Sequence, residues 1–150
     1  MAAARRHDDG GARAGEPRGI DRIMTSGIAC VGERATLADV HELLVERGQH
    51  CVPVLGPDGR PIGMVTQTDL LRAIGEGGAG GRTAGDIMTA LVFALPITAS
   101  VEQAAALMAY EGVEQIVVTG MNGEVAGVVR ALDVARRCAR AAGYLVDREE

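Results

Sequence analysis

The sequence contains a tandem repeat, and this repeat constrains the fold more than any other feature. Ile23-Met24-Thr25 recurs as Ile87-Met88-Thr89, an offset of 64 positions. The same offset holds without a gap through the whole unit. It pairs glycines and one acid in a fixed register: Gly48 with Gly112, Gly63 with Gly127, and Asp69 with Asp133. Two copies of a unit of roughly 60 residues therefore organise the chain.

The repeat also divides the chain of 150 residues into segments. Glycine is concentrated between the two copies, which is typical of a flexible linker. The predicted segments are a flexible tail over 1–19, a first repeat over 20–75, a Gly-rich linker over 76–83, a second repeat over 84–143 and a C-terminal tail over 144–150. The two repeats together, residues 20–143, are predicted to form one module.

Both copies have the same order of predicted elements: strand, helix, strand, hairpin, strand, helix. A Ser or Thr with an acid or amide three residues later predicts each first helix, at Thr36 and Ser100. Asp-Gly and Asn-Gly pairs predict the two hairpin turns. The predicted strands are Ile28–Val31, Cys51–Leu55 and Ile62–Val65 in the first copy, and Val92–Leu95, Gln115–Thr119 and Val125–Val129 in the second.

The size of one copy predicts how the two copies pack. A unit this small cannot bury both faces of its sheet by itself. Packing the two sheets face to face, with the helices outside, would bury them. The predicted fold class is therefore α/β (α+β): two tandem βαββα repeats packed sheet to sheet, related by an approximate two-fold axis.

Composition excludes several classes of function. The net charge is −5, which argues against a broad nucleic-acid surface. All 15 basic residues are arginine, so mechanisms that need a lysine are excluded. We find neither a signal peptide nor an apolar run long enough to cross a membrane. Three widely spaced cysteines fit a reducing cytoplasm. No nucleophile or metalloprotease motif is present, and we expect no enzyme activity.

The two copies resemble a known family, the cystathionine-β-synthase (CBS) domains. The resemblance covers 20–143 and rests on an ordered double set of motifs. In the first copy these are Ile23-Met24-Thr25, Val52-Pro53-Val54 and Gly63-Met64-Val65-Thr66-Gln67-Thr68-Asp69-Leu70. In the second they are Ile87-Met88-Thr89, Ile116-Val117-Val118 and Gly127-Val128-Val129-Arg130-Ala131-Leu132-Asp133-Val134. With no catalytic domain attached, the chain resembles a stand-alone CBS pair, or Bateman module.

This resemblance implies a regulatory sensor that binds an adenosine-containing ligand between its repeats. The expected ligands are AMP, ADP, ATP, NAD or S-adenosylmethionine, with AMP or ATP foremost and no obligatory cofactor. The resemblance also implies a homodimer that signals to a protein partner by a change of conformation. In this family the acid of the Thr-x-x-Asp motif binds ribose hydroxyls, and backbone groups of the strands meet the adenine.

Carried over residue by residue, the resemblance implies two sites, each formed by both repeats. The first site would consist of Thr66, Thr68 and Asp69 facing Val92, Phe93, Ala94, Glu114 and Gln115. The second would consist of Arg130 and Asp133 facing Ile28, Ala29, Cys30, His50 and Cys51.

The two implied sites differ in charge. Glu114 stands where family members often carry a cation, and its carboxylate would repel phosphates. Arg130 replaces the usual Ser or Thr and brings a guanidinium that can bind phosphate. We therefore expect the Asp133 site to hold a phosphorylated ligand, and the Asp69 site a less anionic ligand or none.

Other interpretations of these residues stay open at the level of sequence. Thr66 and Asp69 also form a capping box, which is compatible with ligand binding. Asp133 has no Ser or Thr three residues earlier, so we expect a ligand role there rather than capping. Arg130 could be a solvated charge or an ion-pair partner. A structural or interaction protein without nucleotide, linked to a thiol or a metal through its Cys and His residues, is the alternative function.

Overall fold

The computed structural model describes residues 19–77, 80–90 and 93–144. The first half of the chain begins with a 3-10 turn, Ile20–Arg22, and α1 continues as a π-helical segment, Glu42–Glu46. The elements of this half are strands β1 (Thr25–Ser26), β2 (Val31–Gly32), β3 (Cys51–Leu55) and β4 (Pro61–Thr66), and helices α1 (Leu37–His41) and α2 (Gln67–Gly75).

The second half repeats this order. Its elements are helices α3 (Ala84–Ile87), α4 (Val101–Glu111) and α5 (Ala131–Ala141), and strands β5 (Thr89–Ala90), β6 (Ala94–Pro96), β7 (Gln115–Thr119) and β8 (Val125–Arg130). Among the described residues, every helix is too short or too polar to span a bilayer.

The strands form two four-stranded sheets, in the orders β2-β3-β4-β5 and β1-β8-β7-β6. The two sheets have the same internal pattern. β2 runs parallel to β3, and β6 runs parallel to β7, whereas the remaining neighbours are antiparallel. The predicted α/β sandwich of two equivalent units is confirmed.

Side chains alternate along the central strands and so build three apolar clusters. On β3 and β4, Val52, Val54 and Val65 pack against the helices of the first half. The other face of these strands contributes Cys51 and Met64, which pack with Val117 and Val128 between the two sheets. The predicted sheet-to-sheet packing with helices outside follows from this alternation.

The two halves exchange their first segments. β1 pairs with β8 of the second half, and β5 pairs with β4 of the first half. Ile20 is fully buried in the apolar cluster of the second half, while Ala84 is fully buried in that of the first. Each repeat therefore completes the core of the other, which the linear order of elements did not predict.

The exchange depends on two glycines. A Cβ atom on Gly63 would overlap the Met88 sulfur and lie 3.0 Å from the Thr89 carbonyl oxygen. A Cβ atom on Gly127 would lie 2.9 Å from the Met24 sulfur. The repeated glycines therefore leave the space into which the methionine of the other repeat packs.

The predicted first strand of each repeat needs correction. Ile28–Val31 was predicted, but the strand is Val31–Gly32. The reason is local: both backbone groups of Ala29 bond to the side chain of Gln49 rather than to a neighbouring strand. In the second repeat the strand is Ala94–Pro96 instead of Val92–Leu95, and Val92 lies outside the described residues.

The helix starts follow the predicted capping pairs, with one error. Thr36 with Asp39 and Ser100 with Gln103 form capping boxes, as predicted. At α5 the prediction that Asp133 does not cap is wrong. Its Oδ2 accepts the Arg130 backbone N–H at 2.9 Å. A carboxylate three residues into a helix can make this bond whatever side chain stands at the N-cap.

We expect Gly63→Ala to lower the free energy of unfolding by about 1–3 kcal/mol, because the added methyl group overpacks the Met88 contact. Chemical denaturation of the purified protein measures the change. Gly32→Ala is the matched control, since a Cβ there meets nothing within 4 Å. Equal stability of the two variants would contradict the proposed role of the exchange.

Candidate functional site

Three connected cavities lie along the seam between the two repeats. We call them the Phe93 pocket, the Arg130 pocket and the central groove, with volumes of about 390, 230 and 240 Å³. The central groove shares Thr66, Thr68, Glu114 and Gln115 with the Phe93 pocket. It shares His50 and Arg130 with the Arg130 pocket. A ligand seated in either pocket can therefore extend into the groove.

The Phe93 pocket brings together most of the first predicted site. Its lining is Met64, Thr66, Thr68, Thr89, Ala90, Phe93, Val113, Glu114 and Gln115. Of the predicted members that the structure describes, two do not line it: Ala94 is exposed on β6, and Asp69 lies elsewhere. Val92 lies outside the described residues. Thr89 and Ala90 belong to the exchanged strand β5, which is why the sequence prediction missed them.

Asp69 is only 6% exposed and has a full set of partners. Its Oδ2 accepts the Thr66 backbone N–H at 2.9 Å and the Thr66 hydroxyl at 3.0 Å. Its Oδ1 accepts more weakly from Arg72 at 3.3 Å and from the Thr89 hydroxyl at 3.4 Å. Asp69 therefore caps α2 and links it to the exchanged strand. Oδ1, with its two long contacts, is the oxygen that another donor could compete for.

The Arg130 pocket brings together part of the second predicted site. Its lining is Thr25, Ser26, Gly27, Ile28, Arg47, Gly48, Gln49, His50, Cys51, Val128 and Arg130. The predicted Ile28, His50, Cys51 and Arg130 are present. Ala29, Cys30 and Asp133 do not line the pocket. Asp133 pairs with Arg130 at 3.6 Å, in addition to capping α5.

The two pockets are equivalent under the 64-residue offset but opposite in charge. The basic side chains that line the Arg130 pocket are Arg47, His50 and Arg130. In the Phe93 pocket, Glu114 takes the place of His50, and Thr66 takes that of Arg130. This difference in charge agrees with the expectation from sequence.

The central groove lies on the approximate two-fold axis, since most of its lining consists of offset-related pairs. These are His50 with Glu114, Thr66 with Arg130, Gln67 with Ala131, and Thr68 with Leu132. The first turns of both α2 and α5 border the groove. A helix start favours negative charge, because its free N–H groups carry partial positive charge.

Two buried polar atoms at the groove have no hydrogen-bond partner within the described part of the chain. They are Gln115 Oε1, an acceptor, and Arg130 Nε, a donor. A buried polar group without a partner is costly, so native structures rarely keep one without a reason. Both residues line the central groove, so two unpartnered polar atoms belong to its walls.

The cysteines do not assemble into a second site. Burial raises the pKa of the Cys51 thiol to about 12; the Arg130 guanidinium offsets part of this rise and Cys30 adds to it. Burial also raises the pKa of Cys30, whereas Cys138 is exposed on α5. Within residues 19–77, 80–90 and 93–144, no group of three His, Cys, Asp or Glu side chains could hold a metal ion.

The sequence analysis did not include Gln49, which lines the Arg130 pocket. Its side chain bridges the segment before β2 and the start of β3, where it hydrogen-bonds the backbone of Ala29 and Cys51. A comparison of the two repeats could have found it. The residue that corresponds to Gln49 under the 64-residue offset is Val113, so an amide side chain in the first repeat is replaced by an apolar one in the second.

Known proteins share this architecture. Hypoxic response protein 1 of Mycobacterium tuberculosis is 28% identical over 116 residues, covering 76% of this chain and 80% of that protein. A crystal structure of Hypoxic Response Protein I with two coordinated zinc ions superimposes with a TM-score of 0.65 and 27% identity, covering 77% of this chain and 94% of that one.

Two further structures carry adenine nucleotides. CBSX2 in complex with AMP has a TM-score of 0.69 and 23% identity, covering 84% of this chain and 99% of that one. The CBS domain of a bacterial CNNM/CorC family Mg²⁺ transporter in complex with ATP has a TM-score of 0.69 and 24% identity, covering 85% and 89%.

A model of the CBS domain matches residues 20–76 and again residues 84–140. These two matches coincide with the two halves of the sandwich and with the 64-residue repeat. The chain therefore belongs to the CBS-domain family and carries a tandem pair of CBS domains.

Proposed function

We propose that this chain is a regulatory module that binds an adenosine-containing ligand between its CBS domains. The observation that carries the proposal is the Phe93 pocket. Its volume of about 390 Å³ is in the range of small-molecule sites, and it opens into a polar groove with unpartnered hydrogen-bonding atoms. The AMP and ATP complexes of proteins with the same fold support the choice of ligand class.

The two ends of the Phe93 pocket differ in chemistry and suggest how the ligand lies. Met64, Ala90, Phe93 and Val113 offer apolar surface to a nucleobase. Thr66 and Thr68 line both this pocket and the groove, and their polar side chains suit a ribose. Asp69 does not line the pocket, but its Oδ1 accepts from the hydroxyl of Thr89, which does; a ribose hydroxyl that displaces the Thr89 hydroxyl would bond to this oxygen.

The central groove would receive the 5′ substituent of the ligand. Arg130 Nε and the two helix starts favour an anion there, whereas Glu114 opposes one. These opposed charges favour a ligand of low negative charge. Within the expected set, AMP and S-adenosylmethionine fit better than ATP.

Signalling would run through the packing of whole chains. Leu71 and Ile74 of α2 and Leu132 of α5 are 70%, 51% and 46% exposed. We propose that a second copy of the chain covers them in a homodimer. Because Leu132 also lines the central groove, occupancy of the groove would be coupled to the dimer contact that a protein partner reads.

A melting panel tests the proposal. The wild type is heated with AMP, ADP, ATP, NAD, S-adenosylmethionine or GTP. A ligand that binds only the folded protein should raise the midpoint by roughly 10 °C at 100 times its dissociation constant. Asp69→Asn should reduce the ligand-induced shift, and Asp133→Asn should leave it nearly unchanged. Because both variants weaken a helix cap, the shift rather than the absolute midpoint is compared.

The panel also has outcomes that would contradict the proposal. Protein that is free of carried-over nucleotide and shows no shift with any adenosine-containing ligand would overturn it. Chromatography of the nucleotide after incubation with the protein measures turnover. Conversion of the nucleotide to a product would contradict a purely regulatory role.

Charge reversal at Glu114 gives a second prediction. Glu114→Arg should raise the affinity for ATP about tenfold or more, since a repulsive charge beside the phosphates becomes attractive. The affinity for uncharged adenosine should stay within about twofold. Glu33→Arg is the matched control: it makes the same charge change but lines a separate recess with Gly32 and Arg34. Unchanged ATP affinity in Glu114→Arg would remove the electrostatic argument.

The thiol-linked alternative gives a third prediction. Because its pKa is raised to about 12, the Cys51 thiol is protonated at neutral pH and should react slowly with a thiol reagent. Its reactivity should rise only as the pH approaches 12. Exposed Cys138 should react at once, and all three cysteines should react in denaturant. Mass spectrometry measures the rate at which each cysteine is labelled. If Cys51 of the native protein were labelled as fast as Cys138, the thiol-linked alternative would be favoured.

A further inference from the structure

We propose that Gln49 closes the Arg130 pocket to adenine, so that the module binds one adenosine-containing ligand, in the Phe93 pocket only. This inference rests on the proposed function. It identifies which of the two equivalent pockets binds the ligand. The Gln49 Oε1 accepts the Ala29 N–H at 2.9 Å, and its Nε2 donates to the Ala29 carbonyl at 3.2 Å. The same Nε2 donates to the Cys51 carbonyl at 3.1 Å.

The amide of Gln49 presents the same pattern as the edge of an adenine. Adenine offers an acceptor ring nitrogen beside an exocyclic N–H donor, and a primary amide offers a carbonyl acceptor beside an N–H donor. A backbone N–H and C=O of one residue, facing the same way, can pair with either group. At Ala29 the protein's own side chain already makes this pairing.

The backbone holds Gln49 in place. Gly48 adopts a left-handed conformation, with φ of 73°, and turns the chain out of the preceding helix. The Gln49 backbone N–H then donates to the Leu43 carbonyl at 2.9 Å. Both N–H groups of the side-chain amide are used, so a ligand would have to break three hydrogen bonds to replace it.

The Phe93 pocket has no amide side chain at the position that corresponds to Gln49. Gly112, the counterpart of Gly48, has a φ of 71°. The counterpart of Ala29 is Phe93, and that of Gln49 is Val113, whose side chain has no polar atom. The backbone edge at Phe93 therefore meets no competing amide from this position. In agreement, this pocket is about 390 Å³ against about 230 Å³ for the Arg130 pocket.

Charge acts in the opposite direction, so the two effects must be weighed. The three basic side chains of the Arg130 pocket favour a phosphorylated ligand, as the sequence predicted. However, Arg130 is paired with Asp133 at 3.6 Å and Arg47 with Glu42 at 3.3 Å, so part of their attraction is already used. A ligand that must displace three hydrogen bonds loses affinity by on the order of 100-fold. We infer that the amide outweighs the charge.

An exchange of the two side chains tests the inference. Binding of AMP is measured by equilibrium dialysis and calorimetry on four proteins: wild type, Gln49→Val, Val113→Gln and the double exchange. We expect one AMP per chain for wild type and two for Gln49→Val. Val113→Gln should bind AMP at least 30-fold more weakly than wild type. The double exchange should again bind one AMP, now in the Arg130 pocket.

Amide resonances identify the pocket that is filled. AMP should shift Ala90, in the Phe93 pocket, in the wild type, and Ser26 and Gly27, in the Arg130 pocket, in the double exchange. Val113→Gln removes no hydrogen bond of the native fold, so it tests the inference even if Gln49→Val folds poorly.

The outcomes separate this inference from the proposed function. Two results would overturn the role of Gln49 but leave the proposed function standing. The first is two AMP molecules bound per wild-type chain. The second is one AMP per chain in Gln49→Val together with undiminished AMP affinity in Val113→Gln. No binding of AMP or of any other adenosine-containing ligand by any of the four proteins would overturn both proposals.

Discussion

The exchange of first segments between the two CBS domains is the contact on which the rest of the structure depends. Met24 of the first repeat packs on Gly127 of the second, and Met88 of the second packs on Gly63 of the first. Each repeat thereby supplies the edge strand and part of the core of the other. Neither half has a complete sheet by itself, so the pair is the unit that folds.

The same exchange builds the two pockets at the seam. β1 and β5 lie beside strands of the opposite repeat, and their residues line the cavities at the seam. Every pocket wall therefore combines both repeats. A ligand between these walls contacts the two repeats at once, which gives binding a direct route to their relative packing.

The approximate two-fold symmetry is kept by the backbone and broken by side chains. Gly48 and Gly112 have nearly the same left-handed φ, and the strand registers correspond residue for residue. Among the groups that differ are two pairs at the pocket walls: His50 against Glu114, and Gln49 against Val113. A duplicated unit can in this way keep one fold while its two pockets acquire different chemistry.

The sequence by itself determined the repeat, the order of elements, the capping pairs and the opposite charges of Glu114 and Arg130, because these depend on local patterns and on residue identity. The structure brings together along one pocket five residues that the sequence analysis assigned to one site: Thr66, Thr68, Phe93, Glu114 and Gln115. Only the tertiary structure decided the strand exchange, the contact of Asp69 with Thr89, and the contact of Gln49 with Ala29. These features join residues about 20 or more positions apart, and their geometry depends on close packing that no local pattern encodes.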